Sequence, residues 1–107
     1  MSYRKTYTTI KGKKYTLFIA DTAEKRKKGL NSFKNLPFRT GMLFVYSTDV
    51  DHKYEFDKIK MPLTVIFLDK NMNPIEIFHT KIAQKEKIKP KNSYRYVIEI
   101  PRTNIYI

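Results

Sequence analysis

Two short runs, Gly41–Tyr46 (Gly-Met-Leu-Phe-Val-Tyr) and Leu63–Leu68 (Leu-Thr-Val-Ile-Phe-Leu), are apolar at almost every position. Successive side chains of a strand point to opposite faces. Leu43 and Val45 therefore point one way, and Met42, Phe44 and Tyr46 the other. A strand that is apolar on both sets of positions needs cover on both faces, as at the centre of a barrel or sandwich. That requirement confines the chain to a β fold, and the remaining segments read as the cover.

Residues 3–10, rich in Tyr and Thr, read as a strand. A turn at Lys11-Gly12-Lys13 returns the chain as a second strand over 14–20, with Tyr15, Leu17 and Ile19 on its buried face. Asp21-Thr22 can cap a short helix near residues 22–29, which Gly29 stops. About two turns are not stable alone, so this helix is expected to dock through Ala23 and Leu30. Its cations Lys25, Arg26, Lys27 and Lys28 cannot all face solvent, and Arg26 is expected to lie along the body. Leu36 and Phe38 should anchor the connector over 32–38. Tyr54 and Phe56 alternate with Glu55 and Asp57, which suits an edge strand. A turn at 69–73 and Pro74 lead into a strand over 75–82, forming a hairpin with Leu63–Leu68. Ala83–Asn92 reads as a charged, mobile loop. Tyr94–Ile100 is a last core strand with Tyr94, Tyr96, Ile98 and Ile100 on one face. Asn104–Ile107 would add a strand or dock on a partner. The prediction is one mainly β domain over 1–107, a small barrel or sandwich of about seven or eight short strands with one short helix.

Composition limits function. The absence of cysteine removes disulfides, thiolate metal sites and cysteine nucleophiles. No stretch of roughly 18 apolar residues suggests a membrane span, and the basic start lacks an apolar core behind it, so a secretory signal is not expected. The expected location is the cytoplasm of the producing or host cell, or a virion. The charge is +12, with residues 1–16, 22–40 and 81–95 each at +5 and residues 46–76 at −2. Such a surface attracts polyanions. Candidate contacts are Arg4, Lys5, Lys13 and Lys14 in the first hairpin, Lys25, Lys27 and Lys28 on the helix, and Lys85, Lys87, Lys89 and Lys91 in the charged loop.

Catalytic constellations are not evident. There is no Gly-x-Ser-x-Gly elbow, and nothing in the spacing obliges Asp57 and Glu99 to flank a cleft. His52 lies near Asp49 and Asp51, a pattern that more often marks a solvated acidic turn than a metal site. His79 shares parity with Ile75 and Ile77 and reads as a half-buried, hydrogen-bonded core residue. No catalytic residue, metal or cofactor is expected.

Arg26-Lys27-Lys28-Gly29-Leu30, Gly41-Met42-Leu43-Phe44, Pro62-Leu63 with Phe67, and Val97-Ile98-Glu99-Ile100 occur in an order and spacing that resembles the family called domain of unknown function 192. The likeness covers about residues 20–101. It implies a small, mostly β fold found in bacteria, archaea and phages, with no established activity. It also implies that Gly29, Leu30, Gly41, Met42, Leu43, Phe44, Pro62, Leu63 and Phe67 are framework. Arg26 and Glu99, the ionisable residues of the shared pattern, are expected to pair beneath the helix, where a half-broken pair would cost ~3–5 kcal/mol. The chain departs from the family at Tyr54-Glu55-Phe56-Asp57-Lys58 and at Thr64, so an ancestral small-molecule site is expected to be altered or absent.

The expected function is therefore a non-enzymatic basic module that docks on an acidic protein surface or larger assembly, such as a phage structural or host-interacting protein. Non-specific nucleic-acid binding is the second reading and small-ligand binding the third. No membrane partner is expected, and self-association is compatible with the apolar terminus.

Overall fold

The computed structural model describes residues 2–33 and 35–102. The expected strand at Asn104–Ile107 lies outside them. Eight strands and one short helix follow in order: β1 Lys5–Ile10, β2 Lys13–Ala20, α1 Ala23–Lys28, a 3-10 turn Gly29–Ser32, β3 Thr40–Val50, β4 Tyr54–Phe56, β5 Leu63–Leu68, β6 Pro74–His79, β7 Gln84–Ile88 and β8 Tyr94–Pro101. Six strands form one sheet in the order β1-β2-β3-β8-β5-β6, and β4 pairs with β7 in a separate ribbon. Among the described strands only β2 and β3 run parallel, joined by the crossover that carries α1. The large sheet is not closed into a barrel: β1 and β6 remain its two edges.

The doubly apolar strands occupy the middle. Met42, Phe44, Leu63, Val65, Phe67 and Val97 join a core on one face, where Leu30, Phe56 and Tyr94 also pack. Leu43, Ile66, Leu68, Ile98 and Ile100 join Tyr15 and Leu17 in a second core on the other face. Of the framework residues, Gly29, Leu30, Gly41, Met42, Leu43, Phe44, Leu63 and Phe67 are buried and Pro62 is half-buried.

Several details depart from the sequence expectation. Ala23 is exposed, and α1 instead lays the stems of Lys25 and Arg26 along the body. Lys25 Nζ sits 5.3 Å from the Tyr3 ring centre and the Arg26 guanidinium 4.7 Å from that of Tyr46. Phe38 is 52% exposed. Phe33 anchors the connector in its place, stacked 4.8 Å from Phe18. His79 is exposed, although its Nδ1 lies 3.0 Å from Thr64 Oγ1 across the β5–β6 pair. The even parity of Tyr94 and Tyr96 also breaks. Val45 pairs with Tyr96 but Val50 with Tyr94, so an irregularity in β3 puts Tyr94 in the first core and Tyr96 against the second.

The largest departure is β7, which occupies the expected loop. It has one apolar residue to bury, Ile88, which packs against the first core, and it pairs with β4 in antiparallel register with charged pairs on it and around it. Lys87 Nζ lies 3.2 Å from Glu55 Oε1, Lys89 Nζ 3.2 Å from Asp51 Oδ1, and Arg95 Nε 3.0 Å from Asp49 Oδ1. The basic run at 81–95 is thus the counter-charge of the acidic run at 49–57.

Gly41 does not serve a turn; Arg39, with φ of 56°, takes the left-handed conformation before β3. What Gly41 provides is room. A Cβ there would run into the carbonyl oxygen of Glu99 and lie 2.7 Å from Ile100 Cγ1. Gly41→Ala is expected to separate β3 from β8 and to lower stability in urea denaturation by about 2 kcal/mol or more. An unchanged denaturation midpoint would show that the two backbones are not in close contact.

Candidate functional site

The crossover from β2 to β3 places α1 over the first core, and the β4–β7 ribbon lies beside it. Thr22 begins the helix by accepting the Lys25 N–H on its Oγ1 at 3.1 Å. Gly29 ends it, donating its N–H to the Lys25 carbonyl. The following turn is tied to the β4 side by Asn31, whose Nδ2 donates to the Lys58 carbonyl at 2.8 Å. Between helix and ribbon a cleft of about 280 Å³ remains, lined by Arg26, Lys27, Lys28, Gly29 and Asn31 on one side and by Tyr54, Glu55, Asp57, Lys58 and Ile59 on the other. Phe44 and Glu99 complete its lining. An adjoining hollow of about 190 Å³ shares Arg26, Phe44, Tyr54 and Glu55 and adds Tyr46, His52 and Lys53.

Glu99 is the unusual group. It sits at mid-sheet on β8, paired in register with Met42 on one side and Val65 on the other. It is 4% exposed. The expected Arg26–Glu99 ion pair does not form: among the described residues no cation lies within ion-pair distance of the Glu99 carboxyl. Arg26 instead donates from Nη1 to the Val45 carbonyl at 2.8 Å. The β3 irregularity that follows Val45 lets Tyr46 lie against the guanidinium. Burial alone pushes the Glu99 carboxyl up to about 8, so at neutral pH it is mostly the uncharged acid, with a proton to donate.

The polar wall beside it is also held neutral. The Tyr46 and Tyr54 hydroxyls hydrogen-bond to each other. Burial pushes the Tyr54 phenol far above its ordinary range, and Tyr46 beside it adds to the shift. His52 stacks parallel to Tyr54 at 5.9 Å, and its carbonyl accepts the Tyr94 hydroxyl proton at 2.8 Å. Among the described residues no group of three or more His, Asp or Glu side chains could hold a metal ion. Likewise, no helix among them is long and apolar enough to cross a membrane.

The expected polyanion contacts divide into three groups. Arg4 pairs with Asp21, holding that carboxyl below its usual range through the hydrogen bond. Lys25 also reaches Asp21 at 4.0 Å, and Lys28 reaches Glu24 at 3.7 Å. Lys87 is matched by Glu55 of β4 and Lys89 by Asp51 just before β4, while Lys85 and Lys91 are exposed. Lys5, Lys13, Lys14 and Lys27 make no ion pair among the described residues; Lys5 lies over Phe18 and Lys14 over Tyr7. Sequence reading missed Tyr54, Asn31 and Ile59 in the cleft and Tyr46 in the adjoining hollow. A signal for Tyr54 and Ile59 lay in the divergent 54–64 segment, which forms one wall.

The raised carboxyl has a thermodynamic consequence. Between pH about 4.5 and about 8 the folded chain keeps a proton on Glu99 that the unfolded chain has released, so this group's contribution lowers stability as pH rises through that window. Glu99→Gln removes the ionisation and is expected to be more stable than the parent by roughly 3 kcal/mol at pH about 7, with a smaller pH slope above about 4.5. Urea denaturation across the pH range checks this. A Glu99→Gln protein that is less stable at neutral pH would point to a paired carboxylate.

The comparisons with known proteins agree with the architecture. A structure from Novosphingobium aromaticivorans DSM 12444, a protein of unknown function, aligns with a TM-score of 0.76 at 18% identity, over 92% of this chain and 73% of that one. A second, from Sinorhizobium meliloti 1021 and described only as a candidate transcription regulator, aligns with a TM-score of 0.77 at 20% identity, over 94% of this chain and 83% of that one. At such identities the likeness shows the fold alone. No curated protein matches the chain. The family model DUF192, described as Uncharacterized ACR, matches residues 6–105. With nearly its whole length matched, the chain belongs to the DUF192 family of uncharacterised proteins.

Proposed function

We propose that the protein is a binding module whose cleft takes a small carboxylate-bearing ligand. The observation that carries this reading is Glu99, a buried acid without a partner among the described residues, in the lining of a cleft that Arg26, Lys27, Lys28 and Lys58 also line. An acid that makes no hydrogen bond or ion pair among the described residues, and that lines a cleft with a raised pKa, is a candidate for recognition. As the neutral acid, Glu99 donates a hydrogen bond. A ligand carboxylate is a strong acceptor for it, and the bond between acid and carboxylate is of the charge-assisted kind. The Arg26 guanidinium has donors beyond the one given to Val45, and Arg26, Lys27, Lys28 and Lys58 outnumber Glu55 and Asp57 in the lining, which favours an anion. Phe44 and Ile59 offer apolar contact to the ligand's body.

The reading is of binding rather than chemistry. Tyr46 and Tyr54 are held as neutral phenols and bond to each other, so neither is poised as a nucleophile or base.

Calorimetry against small mono- and dicarboxylates and their uncharged amides tests this. Carboxylates are expected to bind and amides not. Affinity should fall as pH rises through about 8, because the ionised Glu99 repels the ligand. Arg26→Met should weaken binding about tenfold while costing ~1 kcal/mol of stability for its hydrogen bond. Glu99→Gln should keep binding and lose the pH dependence, since an amide N–H replaces the acid proton. Equal binding of amides, or affinity that grows with pH, would contradict the reading.

A further inference from the structure

The second site lies at the opposite face of the sheet and does not depend on the cleft. The β1–β2 hairpin holds Arg4, Lys5, Lys11, Lys13 and Lys14, and no acidic residue precedes Asp21. Of these five, Arg4 alone has an ion-pair partner among the described residues. The lysines of the 81–95 run are partly matched by the acids of β4 and its flanks, so the hairpin keeps the least compensated charge.

β1 ends the sheet on one side and β6 on the other. The sheet curls until both edges line one groove of about 430 Å³, with Thr8 and Ile10 on one bank, Leu68 and Ile77 on the other, and Ile66 and Ile98 between. Ile77 is 48% exposed there. Among the described residues no strand pairs with the outer edge of β1. The Arg4 carbonyl accepts the Ile19 N–H at 2.9 Å, which sets the alternation of the antiparallel ladder. Thr6, Thr8 and Ile10 bond to β2, and Lys5, Tyr7 and Thr9 turn their N–H and C=O groups away from it.

We propose that this seam is a strand-addition site for an extended segment of a partner protein in which acidic residues alternate with apolar ones. Its backbone pairs with the outer edge of β1, its apolar side chains enter the groove, and its carboxylates lie along the hairpin lysines. Each property of the seam selects this occupant. An apolar trench and a row of backbone donors and acceptors serve a peptide and give a nucleic acid nothing to read. A second copy of this chain would bring another basic edge and a net charge of +12. Open edges of this kind are normally blunted or covered in soluble proteins.

The probe is a short fluorescein-labelled peptide alternating Glu with Val, measured by anisotropy against the full chain. Saturable binding is expected, weakened by added salt. Tyr7→Pro removes one outward N–H from an edge strand, where proline is tolerated, so the fold should persist while affinity drops about tenfold. The same peptide N-methylated at alternate positions should not bind the parent protein, and this arm requires no variant to fold. Lys11→Gln with Lys13→Gln should weaken binding and reduce its salt dependence, whereas Glu99→Gln should leave it unchanged. The proposal is overturned if the peptide shows no saturable binding, if N-methylation or Tyr7→Pro has no effect, or if a single-stranded oligonucleotide displaces the peptide as well as an unlabelled copy does.

Discussion

The close approach of the β3 backbone to β8 at Gly41 organises much of this molecule. Without a side chain at 41, the strand can lie against the Glu99 carbonyl and Ile100. That contact puts Met42 opposite Glu99 and Leu43 opposite Ile98. Both cores follow, because the two central strands then present one apolar set to each face. It also fixes Glu99 at the floor of the cleft, where it is 4% exposed. A carboxyl held by its own backbone in mid-sheet cannot swing out to find a partner, and its environment must come from what is laid over it. Here that is the end of α1, the Lys58 turn and Tyr54.

Charge has a second organising role. The chain is strongly basic, but its segregated acidic and basic runs are largely complements of each other. Asp49, Asp51 and Glu55 meet Arg95, Lys89 and Lys87; of these pairs only Lys87–Glu55 joins β4 to β7, whose ribbon also buries Phe56 and packs Tyr54 and Ile88 on the first core. Exposed pairs of this kind contribute little individually, ~0.2–1 kcal/mol. Their main effect is on which surfaces stay positive. The first hairpin has no acidic segment of its own to meet and keeps its field.

The sequence was most informative where burial left a pattern. Met42–Tyr46 and Leu63–Leu68 were legible as doubly covered strands because both parities are apolar. The hairpins were legible from Lys11-Gly12 and from Asp69–Asn73 with Pro74. β7 was not, because a strand stabilised by cross-strand charges looks like a solvated loop when its partner is unknown. Tyr94 was assigned to the wrong face because an irregularity in β3 shifts the register between Val45 and Val50, and no residue pattern announces it. The cleft was half legible: Arg26 and Glu99 were singled out together, and they do line one cavity. Their expected pairing failed because the backbone carbonyl of Val45 and the Tyr46 ring hold the guanidinium.

Glu99 is a buried acid with no ion-pair or hydrogen-bond partner among the described residues, and burial holds it neutral at pH about 7. Carbon-detected NMR of the Glu99 side-chain carboxyl, followed through a pH titration of the free protein, reports its ionisation directly. A midpoint near 8 is the predicted result. A midpoint near the ordinary value of 4.5 would mean that the carboxyl is solvated or paired, and would contradict the account.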